Sequence, residues 1–155
     1  MKIYMKQNEA AASLPLPSYQ TDLSAGVDLQ AALPDGPITL APMDRVAVPT
    51  GLFMAMPEGV EAQVRPRSGL PLKQGLTVAN APGTIDADYR GEIKVLLINL
   101  GTEHVLVEHG MRIAQMIFSP VLKASFHRTD ELDDTTRGQG GFGSTGLYET
   151  KTGEA

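Results

Sequence analysis

The sequence predicts an all-β fold, a sandwich or a barrel, and three observations carry that prediction. Glycine (16) and proline (11) punctuate the 155 residues at short intervals. The segments between them are short and rich in Val, Ile, Leu and Thr. Long helical periodicity is missing. Many short strands joined by regular turns are the pattern of closed or stacked antiparallel sheets.

Taken in chain order, "SAGVDLQA" (24–31) reads as an apolar strand interrupted by Asp28. "RVAV" (45–48) and "LFMAM" (52–56) read as two further strands. "GVEAQVR" (59–65) alternates cleanly, with Val60, Ala62 and Val64 on one side and Glu61, Gln63 and Arg65 on the other. That is a half-buried strand. "SGLPLKQG" (68–75) is the best candidate for a helical turn or two, with Pro71 confined to the first turn. "NAPGTIDADYRGE" (80–92) reads as a hairpin. "EIKVLLINL" (92–100) begins alternating and becomes continuously apolar, as a strand covered on both faces would. "HVLV" (104–107) and "RIAQMIF" (112–118) complete the strands. After Phe126 apolar residues thin out and turn formers dominate. We therefore expect a barrel over residues 1–128. Residues 129–155 should form an acidic linker and a glycine-rich arm, mobile unless docked.

Composition narrows the function classes. With no cysteine, disulfides, thiolate nucleophiles and Cys-based zinc sites are excluded. The net charge of −5 argues against a nucleic-acid polymer as partner, which needs a basic surface, but not against a single nucleotide. No apolar run reaches membrane-spanning length, and "MKIYMKQNEAAASLPLP" lacks the apolar core of a secretory signal. No membrane partner and a cytoplasmic setting are the expectation. His104, His109 and His127 show no metal-ligand spacing. If a metal acts, Mg²⁺ held mostly by substrate phosphates is the fitting ion.

Five stretches carry possible chemistry. Asp28 is either a functional acid or a strand-end acid facing solvent. "RPRSGL" (65–70) is either a turn with solvated arginines or an anion cradle, with backbone N–H groups after Ser68 and Arg67 as clamp. In "GTIDADYRGE", Asp86 and Asp88 share a face on a strand but need not in a turn. "RIAQMIF" offers Arg112 and Gln115, which are otherwise two surface polar residues of a strand. "RGQGGFGSTG" (137–146) is half glycine yet carries one arginine and one aromatic. It lacks the Gly-Lys-Ser/Thr of a Walker loop. Arginine suits a phosphate and a flat ring suits a base, so the residues point to a nucleotide lid rather than a linker.

These stretches, in this order from about residue 14 to 146, resemble the five motifs of the homotrimeric dUTPase family. The resemblance implies a jelly-roll-like distorted β-barrel, the dUTPase-like β-clip. It also implies a homotrimer with active sites at subunit interfaces, each closed by a neighbour's C-terminal arm. The implied reaction is Mg²⁺-assisted hydrolysis of dUTP to dUMP and pyrophosphate, which limits uracil in DNA and supplies dUMP for thymidylate synthesis. Asp86 matches the acid that activates the attacking water. Asp28 matches the acid that holds the water shell of Mg²⁺. Ser68 matches the serine near the α–β bridging oxygen, and Arg67, Gly69 and Gln115 match phosphate contacts. Arg137, Ser144, Thr145 and Gly146 match the arm residues over the phosphates. Asn80, Gly83, Ile85, Asp86, Tyr89 and Lys94 match the uracil and deoxyribose pocket, and Phe142 would stack on the base. Met111 and Pro71 depart from the commoner residues at positions outside the chemistry.

Two rivals share this outline. A dCTP deaminase has the same fold but uses a glutamate five residues after the hairpin glycine. Counting from Gly91 gives Leu96 here, which cannot act as acid or base. A trimeric binding or signalling module that keeps the nucleotide site is the second rival.

Overall fold

The structure is a computed structural model and describes residues 1–144 and 148. The chain divides into two compact units, Met1–Leu122 and Lys123–Ala155. The first holds β1 (Tyr4–Gln7), a short 3₁₀ turn (Glu9–Ala11), β2 (Val27–Gln30), β3 (Ile38–Leu40), β4 (Arg45–Ala55) and β5 (Val60–Arg65). It continues with α1 (Gly69–Gln74), β6 (Leu76–Val78), β7 (Gly83–Ile85), β8 (Ile93–Asn99), β9 (Val105–Val107) and β10 (Arg112–Pro120). Two four-stranded sheets, β1-β4-β8-β6 and β2-β10-β5-β7, and the pair β3-β9 surround one core. All pairings are antiparallel. This is the all-β, jelly-roll-like barrel that the sequence led us to expect.

The core draws on both large sheets: Leu29 and Met116 from one, Val48 and Leu97 from the other, each fully buried. Burying a side chain of this size contributes roughly 1.5–3 kcal/mol. Strand β5 shows the alternation read from its sequence, with Ala62 and Val64 buried and Arg65 exposed. The two strands read at 45–48 and 52–56 are one strand, β4, irregular between Pro49 and Leu52. Gly51 sits in that irregularity at φ 67°, the left-handed region that favours glycine. The Thr50 hydroxyl donates to the Ile93 carbonyl at 2.6 Å, and the Asn8 N–H donates to Gly51 O at 2.9 Å. The irregularity thus joins β4 to β8 and to the N-terminal turn.

Three readings need correction. Strand β8 is not covered on both faces by this chain. It alternates along its whole length: Ile93, Val95, Leu97 and Asn99 are buried, Lys94 and Leu96 are exposed, and Ile98 is half-buried. The apolar run hid a two-faced strand because Leu96 and Ile98 are apolar on the outward side. Residues 80–92 do not form a hairpin. Strand β7 pairs with β5, and β8 pairs with β4 and β6, so the turn after Ile85 crosses from one sheet to the other. Strands β1, β3 and β6 lay unread because three or four residues carry too little periodicity.

The helical turn expected at 68–75 is α1. It ends at Gly75, whose φ of 69° lets its N–H close on the Pro71 carbonyl at 3.1 Å. A side chain there would run into the backbone of Gly101. In the second unit the described residues form turns and no strand or helix.

Candidate active site

Two pockets of the first unit collect nearly all the barrel residues singled out in the sequence. The first encloses about 650 Å³ and lies where β2, β10 and the start of α1 meet. Asp28, Arg67, Ser68, Gly69 and Gln115 line it, as expected, together with Lys73, Gln74 and Arg112.

Asp28 comes from β2, whose Val27 and Leu29 face the core and whose Asp28 therefore faces out. Gln115 stands directly opposite it on β10 and donates to the Pro66 carbonyl at 2.9 Å. That bond fixes the chain just before Arg67. The Arg67 Nε donates to Asp28 Oδ1 at 2.8 Å. Arg112 Nη1 lies 3.2 Å from the other carboxylate oxygen. Ser68 precedes α1 at the N-cap position, yet its hydroxyl makes no cap bond. A serine there ordinarily caps the helix. Here the hydroxyl makes no such bond, and Ser68 lines the pocket together with Arg67.

The second pocket, about 440 Å³, is lined by Asn80, Ile85, Asp86, Tyr89 and Lys94, as expected, and by Thr84, Glu92, Ile93 and Leu96. Its floor is the β7–β8 turn, closed by the Tyr89 N–H to the Asp86 carbonyl at 3.1 Å. The Tyr89 hydroxyl donates to Glu92 O at 3.0 Å, holding the ring across the turn. Gly83, also expected here, does not line the pocket: it is buried in β7, where a Cβ would stand 3.1 Å from the Asn80 side-chain nitrogen. Asp86 is exposed, able to take a water or a proton. Leu96, the position at which the deaminase rival needs its glutamate, reaches this pocket as an apolar side chain.

The expected site residues are therefore divided within one chain. Phosphate-type residues (Arg67, Ser68, Gly69, Gln115) line one cavity, and base-type residues (Asn80, Asp86, Tyr89) line the other. No described cavity of the single chain holds both sets.

In the arm, Arg137 Nε donates to Gly140 O at 2.8 Å, and the Gly140 and Ser144 N–H groups close turns onto Arg137 O and Gly141 O. Phe142 takes φ 49°. Thr145 and Gly146 lie outside the described residues.

Sequence reasoning offered Arg112 beside Gln115 but carried no role onto it, and it passed over Lys73 and Glu92 as site residues. The signal for Arg112 was present: "RIAQM" places two apolar residues, Ile113 and Ala114, side by side where a strand should alternate. Both are buried, which marks a bulge.

The donor set also tests the expected Mg²⁺. Among the described residues no three His, Asp or Glu side chains are grouped as a protein cage would require. Asp28 is the one carboxylate lining the cationic pocket. That set fits an ion carried by substrate phosphates, with one carboxylate reaching its waters, which is common for Mg²⁺. Among the described residues no helix is long and apolar enough to cross a membrane.

Comparison with known proteins gives the family and the fold. The dUTPase family model matches residues 12–146. The deoxyuridine 5'-triphosphate nucleotidohydrolase of Roseobacter denitrificans is 58% identical over 137 residues, 88% of this chain and 90% of that protein. The protein of the same name from Mesorhizobium japonicum is 57% identical, covering 88% of this chain and 85% of that one. Among solved structures, a point mutant of the dUTPase of phage 80alpha superposes with a TM-score of 0.81 at 22% identity. That match covers 92% of this chain and 98% of the phage chain.

Proposed function

The chain belongs to the dUTPase family, and from that premise we propose that it hydrolyses dUTP to dUMP and pyrophosphate. The observation that carries the reading is the pair of complementary pockets. One is cationic, with the Ser68 hydroxyl making no cap bond and Arg67 oriented by Asp28. The other presents Asp86 beside Asn80 and Tyr89.

The phosphates occupy the first pocket. Arg67, the Gly69 backbone and Gln115 bind them, and Ser68 stands near the α–β bridging oxygen. The nucleoside enters the second. Uracil offers an N3–H donor between two carbonyl acceptors, which Asn80 and the backbone of Gly83 and Ile85 complement. Cytosine reverses that edge and would leave buried groups unpaired, a strong ground for rejection. Tyr89 packs on the deoxyribose, and Lys94 stands at the pocket edge.

Asp86 holds a water and takes its proton as the oxygen attacks the α-phosphorus in line. The bond from the α-phosphorus to the bridging oxygen breaks, and pyrophosphate leaves with the electron pair. A positioned base of this kind is worth about 10²–10⁴-fold. Asp28 would reach the water shell of a Mg²⁺ ion brought in by the substrate phosphates, and such an ion would supply charge neutralisation. Arg137, Ser144, Thr145 and Gly146 of the arm close over the phosphates, and Phe142 stacks on the base, worth about 1–3 kcal/mol.

Division of the residues between two pockets supports assembly of whole sites between copies of the chain, in a homotrimer. An outward apolar strip beside the nucleoside pocket, with Ala47 opposite Leu96 and Ile98 one step further along β8, offers a surface for such contact. The substrate is an intracellular metabolite, so the reading places the protein in the cytoplasm. Its effect there is to keep uracil out of DNA and to furnish dUMP for thymidylate synthesis.

The test is a panel of dUTP, dTTP, dCTP and UTP with Mg²⁺. Pyrophosphate release from dUTP far above the others is expected. Ammonia from dCTP would point to a deaminase, and tight dUTP binding without turnover to a binding module.

A further inference from the structure

The phosphate pocket contains a second arginine that the reaction as described leaves idle. Asp28, Arg67 and Arg112 form a closed ring. Arg67 Nε meets Asp28 Oδ1 at 2.8 Å, and Arg112 Nη1 meets Asp28 Oδ2 at 3.2 Å. The ring closes where Arg67 Nη1 donates to the Arg112 carbonyl at 3.4 Å. We propose that Arg112 is a positioning residue: it clamps Asp28 so that Asp28 and the Arg112 backbone together orient the Arg67 guanidinium for the substrate phosphates. This rests on the phosphate assignment made above.

The donor inventory favours orientation over simple occupation. A guanidinium has five N–H donors in a planar fork. The ring engages one on Nε and one on Nη1, on the side nearest the β2–β10 ladder. Three donors remain, including both on Nη2. They lie on the outer edge of a plane whose tilt is now fixed. A carboxylate held from one side only could rotate and let that plane turn; Arg112 occupies the second oxygen and removes that freedom. The Asp28 side chain is 15% exposed, against 31% for Arg67 and 48% for Arg112, so the carboxylate at the centre of the ring is shielded while the two guanidinium groups reach solvent.

Placing Arg112 in the ring takes a specific backbone feature. In the β2–β10 ladder Arg112 pairs with Gln30, Ala114 with Leu29 and Gln115 with Asp28. Ile113 is the extra residue. Were 112–116 a regular pleat with Ile113 in step, Arg112 would fall on the same face as Ala114 and Met116, both fully buried. The bulge turns Arg112 onto the face that carries Gln115 and, across the ladder, Asp28. Bulges beside active sites commonly re-aim a side chain in this way.

The role predicts a pattern of substitutions. Arg112→Met should raise the KM for dUTP and weaken a non-hydrolysable α,β-imido-dUTP by about tenfold, the scale of one charged hydrogen bond, while the melting temperature stays near that of the wild type. Arg112→Lys restores an N–H to Asp28 Oδ2 and should recover most of the loss. Arg112→Gln, uncharged, should not. In an Asp28→Asn background the Arg112→Met effect should nearly vanish, because its target is already gone. A full tenfold loss in that background would show that Arg112 touches the phosphates directly, and the proposal would be overturned. So would unchanged analogue affinity in Arg112→Met. If Arg112→Met fails to fold, the Lys-versus-Gln contrast decides alone, and equal behaviour of those two variants rejects the role. Failure of the wild-type protein to release pyrophosphate from dUTP would strike the phosphate assignment itself, a result separate from any of these.

Discussion

Glu92 Oε1 accepts a hydrogen bond from the Gly51 backbone N–H at 2.9 Å. The acid at the end of the Asp86–Gly91 turn thereby grips the irregular stretch of β4, and its own carbonyl receives the Tyr89 hydroxyl. The turn of the second pocket is thus tied to β4 by a side chain as well as by the ladders of β7 and β8. Glu92→Ala should lower stability by about 1–2 kcal/mol, the cost of leaving a partly buried donor without its partner. It should also raise the KM for dUTP through a looser Tyr89. Glu92→Gln, which keeps an acceptor oxygen, should retain both properties. Thermal melts alongside steady-state kinetics check this.

Asp86→Asn preserves shape and removes the base. Nucleotide affinity should stay close to that of the wild type, and turnover should fall by about 10²–10⁴-fold. Calorimetric binding of α,β-imido-dUTP and pyrophosphate release assays separate the two. Near-normal turnover would sink the assignment of Asp86.

Deleting residues 137–155 removes a segment distinct from the compact unit Met1–Leu122. A folded trimer with severely reduced turnover is expected, because the barrel keeps its core and loses the groups that close over the phosphates. Circular dichroism, sedimentation and activity measured on one preparation check it. Loss of the fold would show that the arm is structural.

If sites are completed between chains, two inactive variants should rescue each other. Arg67→Ala removes a cation from the first pocket and Asp86→Asn removes the base from the second. Co-refolded mixtures should contain some sites built from the undamaged half of each chain. Activity well above either variant alone is expected, and none if each chain forms its own site.

Much of this was legible in the sequence, and the exceptions share a physical cause. Alternation exposed β5 directly, and the string 68–75, with Pro71 in its first turn, exposed α1. Periodicity misled where an outward face was itself apolar, as at Leu96 and Ile98 of β8. It also failed where one residue interrupted the pleat, as between Pro49 and Leu52 and at Ile113. The motif residues were readable because each sits in a distinctive local string. Glu92 was not, since its partner Gly51 lies 41 positions away, and Arg112, though offered beside Gln115, had no role to read because its partner Asp28 lies 84 positions away. Nor could pattern alone show that the two halves of the motif set would line separate cavities.

The two-sided character of β8 has a consequence for how this protein can change over time. Its odd-numbered residues from Ile93 to Asn99 answer to folding, while Lys94, Leu96 and Ile98 face outward, with Lys94 and Leu96 at the pocket. Substitutions on the outward set can drift with a ligand or a neighbour while the barrel stands. A one-residue insertion or deletion within the strand has no such latitude, because it exchanges the two sets at a stroke. The strand should therefore tolerate exchange of residue type far more readily than any change of length.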